Sequence, residues 1–446
     1  MSLSRTTSEI ISKRSAALLL LLACASLALY RLGAGAKSAD DIRWFLKVAL
    51  VQSALYLLAS FIILRSRSSR ATLLITILFA VLFRLSILFS PPYLSDDIYR
   101  YIWDGRVQAA GINPFRYIPA APELAHLRDD AIYPRINRRD YAHTIYPPVA
   151  QIVFLLTTRI SESVTWMKFT MVVFEAVAVW AIAQLLASFG LARERILLYA
   201  WHPLVIWEFA GSGHADAISI AFIALAFLAW RRNAHFGAGV ALACATLTKL
   251  IPLVLFPALL RQGRWRVQAS NIVAFVATIV LGYVGYLSVG LVAAMGSLPV
   301  YSSEQGLMTG KQYYLLNVAR KLSGANVSPF VYICAGMLVM AAIALWVLLR
   351  KPRPEDTLEA PMALATGTTV LFAPHYSWYF TWLVPFICFT PSLWLFYLTI
   401  ASFLLYGTWL GDSPDDMLLL NSSIYLPTLL IALIEFIWRR RKNSRS

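Results

Sequence analysis

Two adjacent carboxylates open the segment Ser95-Asp96-Asp97-Ile98-Tyr99-Arg100-Tyr101-Ile102-Trp103-Asp104-Gly105-Arg106, which carries its own counter-charges. Neighbouring acids can divide their ionisation between them, and a carboxylate held against a substrate hydroxyl is a general base. The same residues also read as a plain helix start. Ser95 caps, Asp96 and Asp97 complement the positive end of the dipole, and Arg100 pairs with Asp96 or Asp104 at four-residue spacing. Position favours chemistry, because the pair directly follows a long apolar run. The stretch Pro91–His143 holds seven of the chain's 23 acids, balanced by seven arginines: Arg100, Arg106, Arg116, Arg128, Arg135, Arg138 and Arg139. Tyrosines and Trp103 are interleaved. A loop that only connects spans is short and made of turn residues, so 91–147 is expected to fold against the membrane face.

Other ionisable groups lie within or beside apolar runs: Glu175, Glu208, Asp216, Lys249 and Glu435. A charge at the bilayer centre costs at least about 2.5 kcal/mol, which makes each a functional candidate by default. Glu435 precedes the Arg439 cluster by about one turn and Glu175 has no motif around it, so both are read as structural. His214 and Asp216 are two metal-ligand types without a third, which favours a polar cavity lining over a metal site. No metal is expected, a divalent cation being the one cofactor left open. Lys249 has no acid near it in sequence and suits an anionic partner such as a lipid phosphate, against the plain alternative of a lysine at a membrane end. His375, beside Tyr376, Trp378 and Tyr379, reads as an interfacial aromatic belt or a substrate wall. The four cysteines, Cys24, Cys244, Cys334 and Cys388, sit far apart in apolar runs and read as free thiols.

The elements that must position these groups are membrane helices. The chain of 446 residues is 59% hydrophobic and 14% charged, with mean hydropathy +0.65, whereas globular chains run about 45–50% apolar and about 25% charged. That excludes a soluble enzyme, a disordered regulator and a disulfide scaffold. Candidate spans fall near 15–31, 44–64, 71–90, 148–160, 166–188, 195–210, 216–230, 236–260, 269–293, 327–350, 361–373, 376–390, 392–410 and 421–438. Eleven to fourteen spans are expected in an all-α polytopic bundle, with short or broken helices near the site. The 236–260 run, interrupted by Lys249 and Pro252, suggests two half-helices. The net charge of +16 resides in short clusters beside apolar runs, a positive-inside pattern rather than a nucleic-acid tail. Putting Lys13-Arg14 inside places 91–147 and Gly211–Asp216 outside and Arg231–Arg232 and Arg261–Arg266 inside. Arg159, Lys168, Arg193 and Arg195 cannot all be inside under simple alternation. The N-terminal run resembles a signal peptide but is expected to be a retained first span. The whole of 1–446 is read as a single transmembrane domain, with 91–147 as the outer catalytic loop and 294–325 as a second outer loop.

The segment 95–106 together with Gly111-Ile112-Asn113-Pro114-Phe115-Arg116-Tyr117 and Thr144-Ile145-Tyr146-Pro147-Pro148 resembles the polytopic GT-C glycosyltransferases. It is most similar to the bacterial branch around glycosyltransferase family 87, which includes polyprenol-phosphate-mannose-dependent mannosyltransferases. Trp201-His202-Pro203-Leu204 and Glu208-Phe209-Ala210-Gly211-Ser212-Gly213-His214-Ala215-Asp216 resemble that family's Asn-Pro-Leu and Gly-Asn-Gly-His-Asn-Asp stretch, with His202, Ser212 and Ala215 as departures. Thr248-Lys249 with Pro252, and Pro374-His375-Tyr376-Ser377-Trp378-Tyr379, extend the likeness over about 90–380. The resemblance implies hexosyl transfer, mannose-like, from a polyprenyl-phosphate donor to a hydroxyl of a lipid, glycan or protein acceptor. It places the catalytic base at Asp97 or Asp96. Arg100, Arg106, Arg116 and Lys249 are the candidates for the donor phosphate, and Tyr101, Asp104, Tyr146, His214, Asp216, His375, Trp378 and Tyr379 for the substrate lining. The expected setting is the inner membrane, with the site on the extracytoplasmic side, no nucleic-acid partner, and inversion at the anomeric carbon. The competing readings are a transporter or flippase of lipid-linked sugars and a non-catalytic partner in an envelope polysaccharide complex.

Overall fold

The computed structural model describes residues 2–35, 41–66, 69–261, 265–296, 313–351, 358–372, 374–410 and 414–443. Half of the expected second outer loop 294–325, residues 297–312, therefore lies outside the described residues. The main helices are α1 (Ser2–Gly33), α2 (Ile42–Arg65), α3 (Arg70–Leu88), α4 (Asp97–Ala109), α5 (Pro148–Thr158), α6 (Val164–Ser188), α7 (Asp216–Arg231) and α8 (His235–Thr246). They are followed by α9 (Trp265–Val284), α10 (Tyr314–Ser323), α11 (Pro329–Leu349), α12 (Glu359–Phe372), α13 (Leu393–Ala401) and α14 (Pro414–Asn443). Among the described residues there is no strand. In hydrocarbon each backbone polar group must be satisfied within its own segment, which is why the long apolar runs become helices.

Among the described residues seven helices are long and apolar enough to cross a membrane: Arg14–Gly33, α2, α3, α6, α9, α11 and Asp416–Lys442. The protein is thus an all-α multi-pass membrane protein. The other expected spans are assembled from shorter pieces. α5 has 11 residues, about 16 Å at 1.5 Å per residue, too short to span alone. The 195–210 run breaks at His202-Pro203 and ends in a π-helical turn, Trp207–Gly211. The 236–260 run is α8, then Ile251–Leu255 and Phe256–Leu260, so it divides where Lys249 and Pro252 stand. The 376–390 run is a 3-10 turn, Ser377–Leu383, followed by Val384–Ile387. The main hydrophobic core runs from Leu19 to Tyr425, and Phe115, Tyr286 and Ala294 form a small second cluster.

Contacts between helix ends sort the basic clusters. Ser66 Oγ donates to Ser15 Oγ at 2.9 Å, and Ser69 N–H to Glu194 Oε1 at 2.9 Å. Arg231 donates to the Ser188 carbonyl and lies over the Phe189 ring. Phe189 packs edge-on against Phe389, near Ser392, which accepts from Arg439. A Cβ on Gly239 would come 2.5 Å from the Asn271 carbonyl, and one on Gly282 would come 2.6 Å from Leu247. Those two close approaches make α8 and α9 parallel, which puts Trp265–Arg266 at the end where α8 begins. The basic clusters thus gather at one end of the bundle. Arg159 instead donates to the Ala109 carbonyl, and Lys168 to the carbonyls of Ile87 and Ser90. These two cations belong to the opposite end with the 91–147 segment, while Arg193 and Arg195 flank Glu194 at the basic end. This resolves the conflict left by simple alternation. α6 thus starts at the loop end, where it carries Lys168, and finishes at the basic end, where its Ser188 carbonyl accepts from Arg231.

The two remaining intramembrane acids are structural. Glu175 receives Arg84 Nε at 2.7 Å and also Arg84 Nη2, and Arg84 further donates to the Ala80 and Ala200 carbonyls. Glu435 accepts the Leu393 N–H at 2.8 Å.

Candidate active site

Asp96 and Asp97 start α4 at the loop end of the bundle. Asp97 is the first helical residue, its N–H donating to Ser95 Oγ at 3.2 Å. Ser95 therefore serves the helix start one position earlier than a standard cap. Lys168, buried on α6, donates to the carbonyls of Ile87 and Ser90 and so fixes the end of α3 from which the chain enters the 93–97 turn.

Both carboxylates line a cavity of about 440 Å³. Its walls come from distant parts of the chain: Tyr93–Asp97 and Tyr101, Asn137 and Arg138, Tyr146, Lys249, the 375–379 turn, and Leu405–Thr408. Asn137 Nδ2 donates to Asp97 Oδ1 at 2.6 Å, which orients that carboxylate and leaves its other oxygen for a substrate. Asp96 stands at the rim. Partial desolvation there, then the charge of Asp97, push its carboxyl above the usual range, with Arg135 opposing. Tyr101 stacks on Phe154 at 4.5 Å and meets Tyr146 edge-on at 4.9 Å. Across the cavity Lys249 Nζ donates to both Asp216 oxygens, at 2.7 and 2.8 Å, and lies 4.2 Å over the Tyr379 ring. Trp378 stacks on Tyr376 at 4.4 Å and on His214 at 4.2 Å.

The expected site residues separate into groups. Asp96, Asp97, Tyr101, Tyr146, Lys249, His375, Trp378 and Tyr379 line this one cavity. His214 and Asp216 stand behind it. His214 Nδ1 is 3.0 Å from Glu208 Oε2 and its ring supports Trp378, while Asp216 holds Lys249. Gly213 makes the turn into His214 with φ +78°, and a Cβ there would meet Ile98 at 2.5 Å, so a glycine is required. Asp104 lies two turns beyond Asp97 along α4, only 2% exposed. It accepts from Arg100 Nε at 2.8 Å, from Gln151 Nε2 at 3.0 Å and from Thr144 Oγ1. It thereby ties α4 to α5 and holds the strand-like segment that presents Tyr146.

The structure does not bring Arg100, Arg106 or Arg116 to the cavity. Arg100 is buried on Asp104 and the Ala142 carbonyl. Arg106 is bound by Asp129 at 2.6 Å and Glu162 at 2.8 Å. Arg116 lines a different groove. Sequence reasoning also missed wall residues. Asn137 and Arg138 belong to a turn in which Arg138 has φ +55°, and Tyr406 donates to buried Glu208 at 2.7 Å. Arg138 was visible as charge in the loop, and nothing local marked Asn137 or Tyr406. Among the described residues no group of three His, Cys, Asp or Glu side chains stands ready to hold a metal ion.

A polytopic helical membrane protein with an acidic, aromatic-walled chamber at one end of its bundle has the form of an enzyme acting on a polar substrate at the membrane face. Residues 20–262 match the family model described as alpha-(1->6)-mannopyranosyltransferase, N-terminal domain, which is more than half of the chain. The protein belongs to that family and is a membrane mannosyltransferase. A comparison with curated proteins found no match. The matched region carries Asp96, Asp97, Tyr101, Tyr146 and Lys249, whereas the wall at 375–379 and 405–408 lies beyond it.

Proposed function

We infer that the cavity transfers mannose from a polyprenyl-phosphate donor to an acceptor hydroxyl, in a GT-C-type single displacement with Asp97 as the base. The observation that carries this reading is the pairing of Asp97 and Lys249 across one chamber: a proton acceptor on one wall, a cation on the other. Asp97, oriented by Asn137, takes the acceptor proton as the hydroxyl attacks the anomeric carbon. The bond from that carbon to the phosphate oxygen breaks, and the polyprenyl phosphate departs with the electron pair. Lys249 and Arg138 face the phosphate as its charge grows, the electrostatic stabilisation that phosphate departure needs. Asp216 keeps Lys249 aimed before the anion arrives. Tyr376, backed by Trp378, offers an aromatic wall against which a sugar ring packs. Single displacement inverts the centre, so an α-(1→6) mannoside, the product in the family's name, requires a β-configured donor.

The gathering of basic clusters at the end away from the cavity supports an extracytoplasmic site in the plasma membrane. There a lipid-linked sugar is accessible and a nucleotide sugar is not.

The test is purified protein in detergent, without a membrane gradient, given polyprenyl phosphomannose and a mannoside acceptor. Acceptor-dependent release of polyprenyl phosphate, lost in Asp97→Asn, is expected. Full transfer by both Asp97→Asn and Asp96→Asn overturns the assignment, and no release by the unaltered protein favours transport.

A further inference from the structure

A second groove, about 720 Å³, lies between the 111–117 turn, α5 and the end of α9, and shares no lining residue with the catalytic cavity. Its two sides differ in character. Ile152 of α5 and Leu281 of α9, 42% and 71% exposed, form an apolar wall continuous with the lipid-facing surfaces of those helices. The opposite side carries one cation, Arg116, and one anion, Glu123. Both are exposed, and among the described residues neither side chain has an ion pair or hydrogen-bond partner, with each other or with anything else. The polar floor, by contrast, is fixed. Asn113 Nδ2 donates to the Tyr286 carbonyl and Ser288 Oγ, and Tyr286 Oη donates to Gln108 Oε1 at 3.0 Å.

An apolar wall open to lipid, with one free charge of each sign on a rigid rim, is complementary to a zwitterionic amphiphile. Arg presents a planar fork matched to phosphate oxygens, and a carboxylate accepts strong hydrogen bonds from a primary ammonium. A purely anionic headgroup would satisfy Arg116 but be repelled by Glu123. A quaternary ammonium has no N–H to donate to Glu123. The volume lies within the usual range for a ligand site, about 300–1,000 Å³. We propose that this groove binds one phosphatidylethanolamine molecule from the leaflet on the loop side, its phosphate on Arg116, its ammonium on Glu123 and its chains along α5 and α9. The occupant is a resident lipid rather than a substrate, because no catalytic carboxylate reaches the groove. The site is nonetheless connected to the chamber: Gln108 donates to Gln151, and Gln151 to Asp104 and Thr144, two residues before Tyr146.

The experiment is native mass spectrometry of the full chain, moved from nanodiscs of phosphatidylethanolamine, phosphatidylglycerol or phosphatidylcholine into detergent. One retained phosphatidylethanolamine per protein is expected, at least about tenfold over the other two headgroups, the 1.4 kcal/mol that one good charge-assisted contact supplies. Arg116→Gln loses retention of every phospholipid. Glu123→Gln keeps retention but loses the preference for the primary ammonium. Gly285 lines the groove with open space around its Cα, so Gly285→Phe fills the groove with both charges intact and also abolishes retention. Equal retention of all three headgroups overturns the proposal. So does retention by Arg116→Gln and Gly285→Phe equal to that of the unaltered protein, or a co-purifying glycolipid in place of the phospholipid. Mannosyl transfer is read separately, and its loss or survival does not bear on lipid retention.

Discussion

Asp97 and Asp104 lie seven residues apart on the same helix and face opposite fates. Among the described residues the Asp97 carboxylate accepts from Asn137 alone, and it opens to a chamber. Asp104 accepts from Arg100, Thr144 and Gln151 and is sealed from water. A carboxylate that holds three donors and is closed off from water has nothing left for a substrate. The proposed base is the acid whose oxygen is oriented yet unfilled. The largest expected effect follows from that contrast. Asp97→Asn should cut transfer by about 10³-fold, the usual scale for losing a general base, with thermal stability nearly unchanged. Asp104→Asn should do the reverse: it leaves Arg100 buried and uncompensated, costing about 3 kcal/mol of stability. Turnover per folded molecule should survive within about tenfold. Parallel thermal unfolding and active-site-normalised rates distinguish the two, and an Asp104→Asn enzyme that is stable but inactive would erase the distinction.

The two walls of the chamber sharpen the same comparison. Lys249→Gln removes the cation proposed to face the departing phosphate and leaves Asp216 without its partner, so kcat/KM should fall by about 10²-fold. Lys249→Arg should recover part of it, since the charge returns. Trp378 acts on the ground state and transition state alike through ring packing. Trp378→Ala should raise acceptor KM by about tenfold with kcat held, the signature of lost uniform binding. Steady-state kinetics with varied acceptor separates the two walls.

The membrane character, the acid pair, and most of the chamber's aromatic lining are legible in the sequence because they depend on local composition and adjacency. Lys249 is legible as a cation in an apolar run, although its partner Asp216 is 33 residues away and becomes visible only when α7 and α8 pack. The arginines show why spacing misleads. Arg106 shares a helix with the acid pair, but Asp129 and Glu162 fold back onto it. No pattern within a single helix records those returns. The whole-span reading fails for a similar reason. Apolar runs at 195–210 and 376–390 are hydrophobic enough, but Pro203 and Pro385 stand within them, and the backbone resolves into turns wrapped by neighbouring helices. Those broken segments build the chamber: the π-turn carries Glu208, which holds His214 and Tyr406, and 377–383 carries Trp378 and Tyr379.

The smallest effect concerns the order in which acid disables the two kinds of carboxylate. Asp129, though partial burial alone would raise it, is held at about 2 by Arg106 and by the backbone N–H groups of Ile132 and Tyr133. Its folded value is lowered, so its contribution to loop stability is complete above the ordinary carboxylate range near 4 and fades as pH falls towards 2. Asp96 is shifted the other way and takes up its proton while the pH is still above that range. On acidification the chamber should therefore change its charge before the 91–147 loop loosens. Amide hydrogen exchange at Ile132 and Tyr133 should stay slow through the acid limb of the transfer profile and speed up only below about pH 4. Asp129→Asn should remove that step and leave the transfer profile in place, because the carboxylate it deletes holds the loop and does not reach the chamber. In Asp97→Asn the second cause of the upward shift disappears, so the Asp96 carboxyl, followed by infrared spectroscopy, should titrate at lower pH than in the unaltered protein. An unchanged Asp96 titration would mean that the two carboxylates do not sense each other, and the pair would then act as two separate acids.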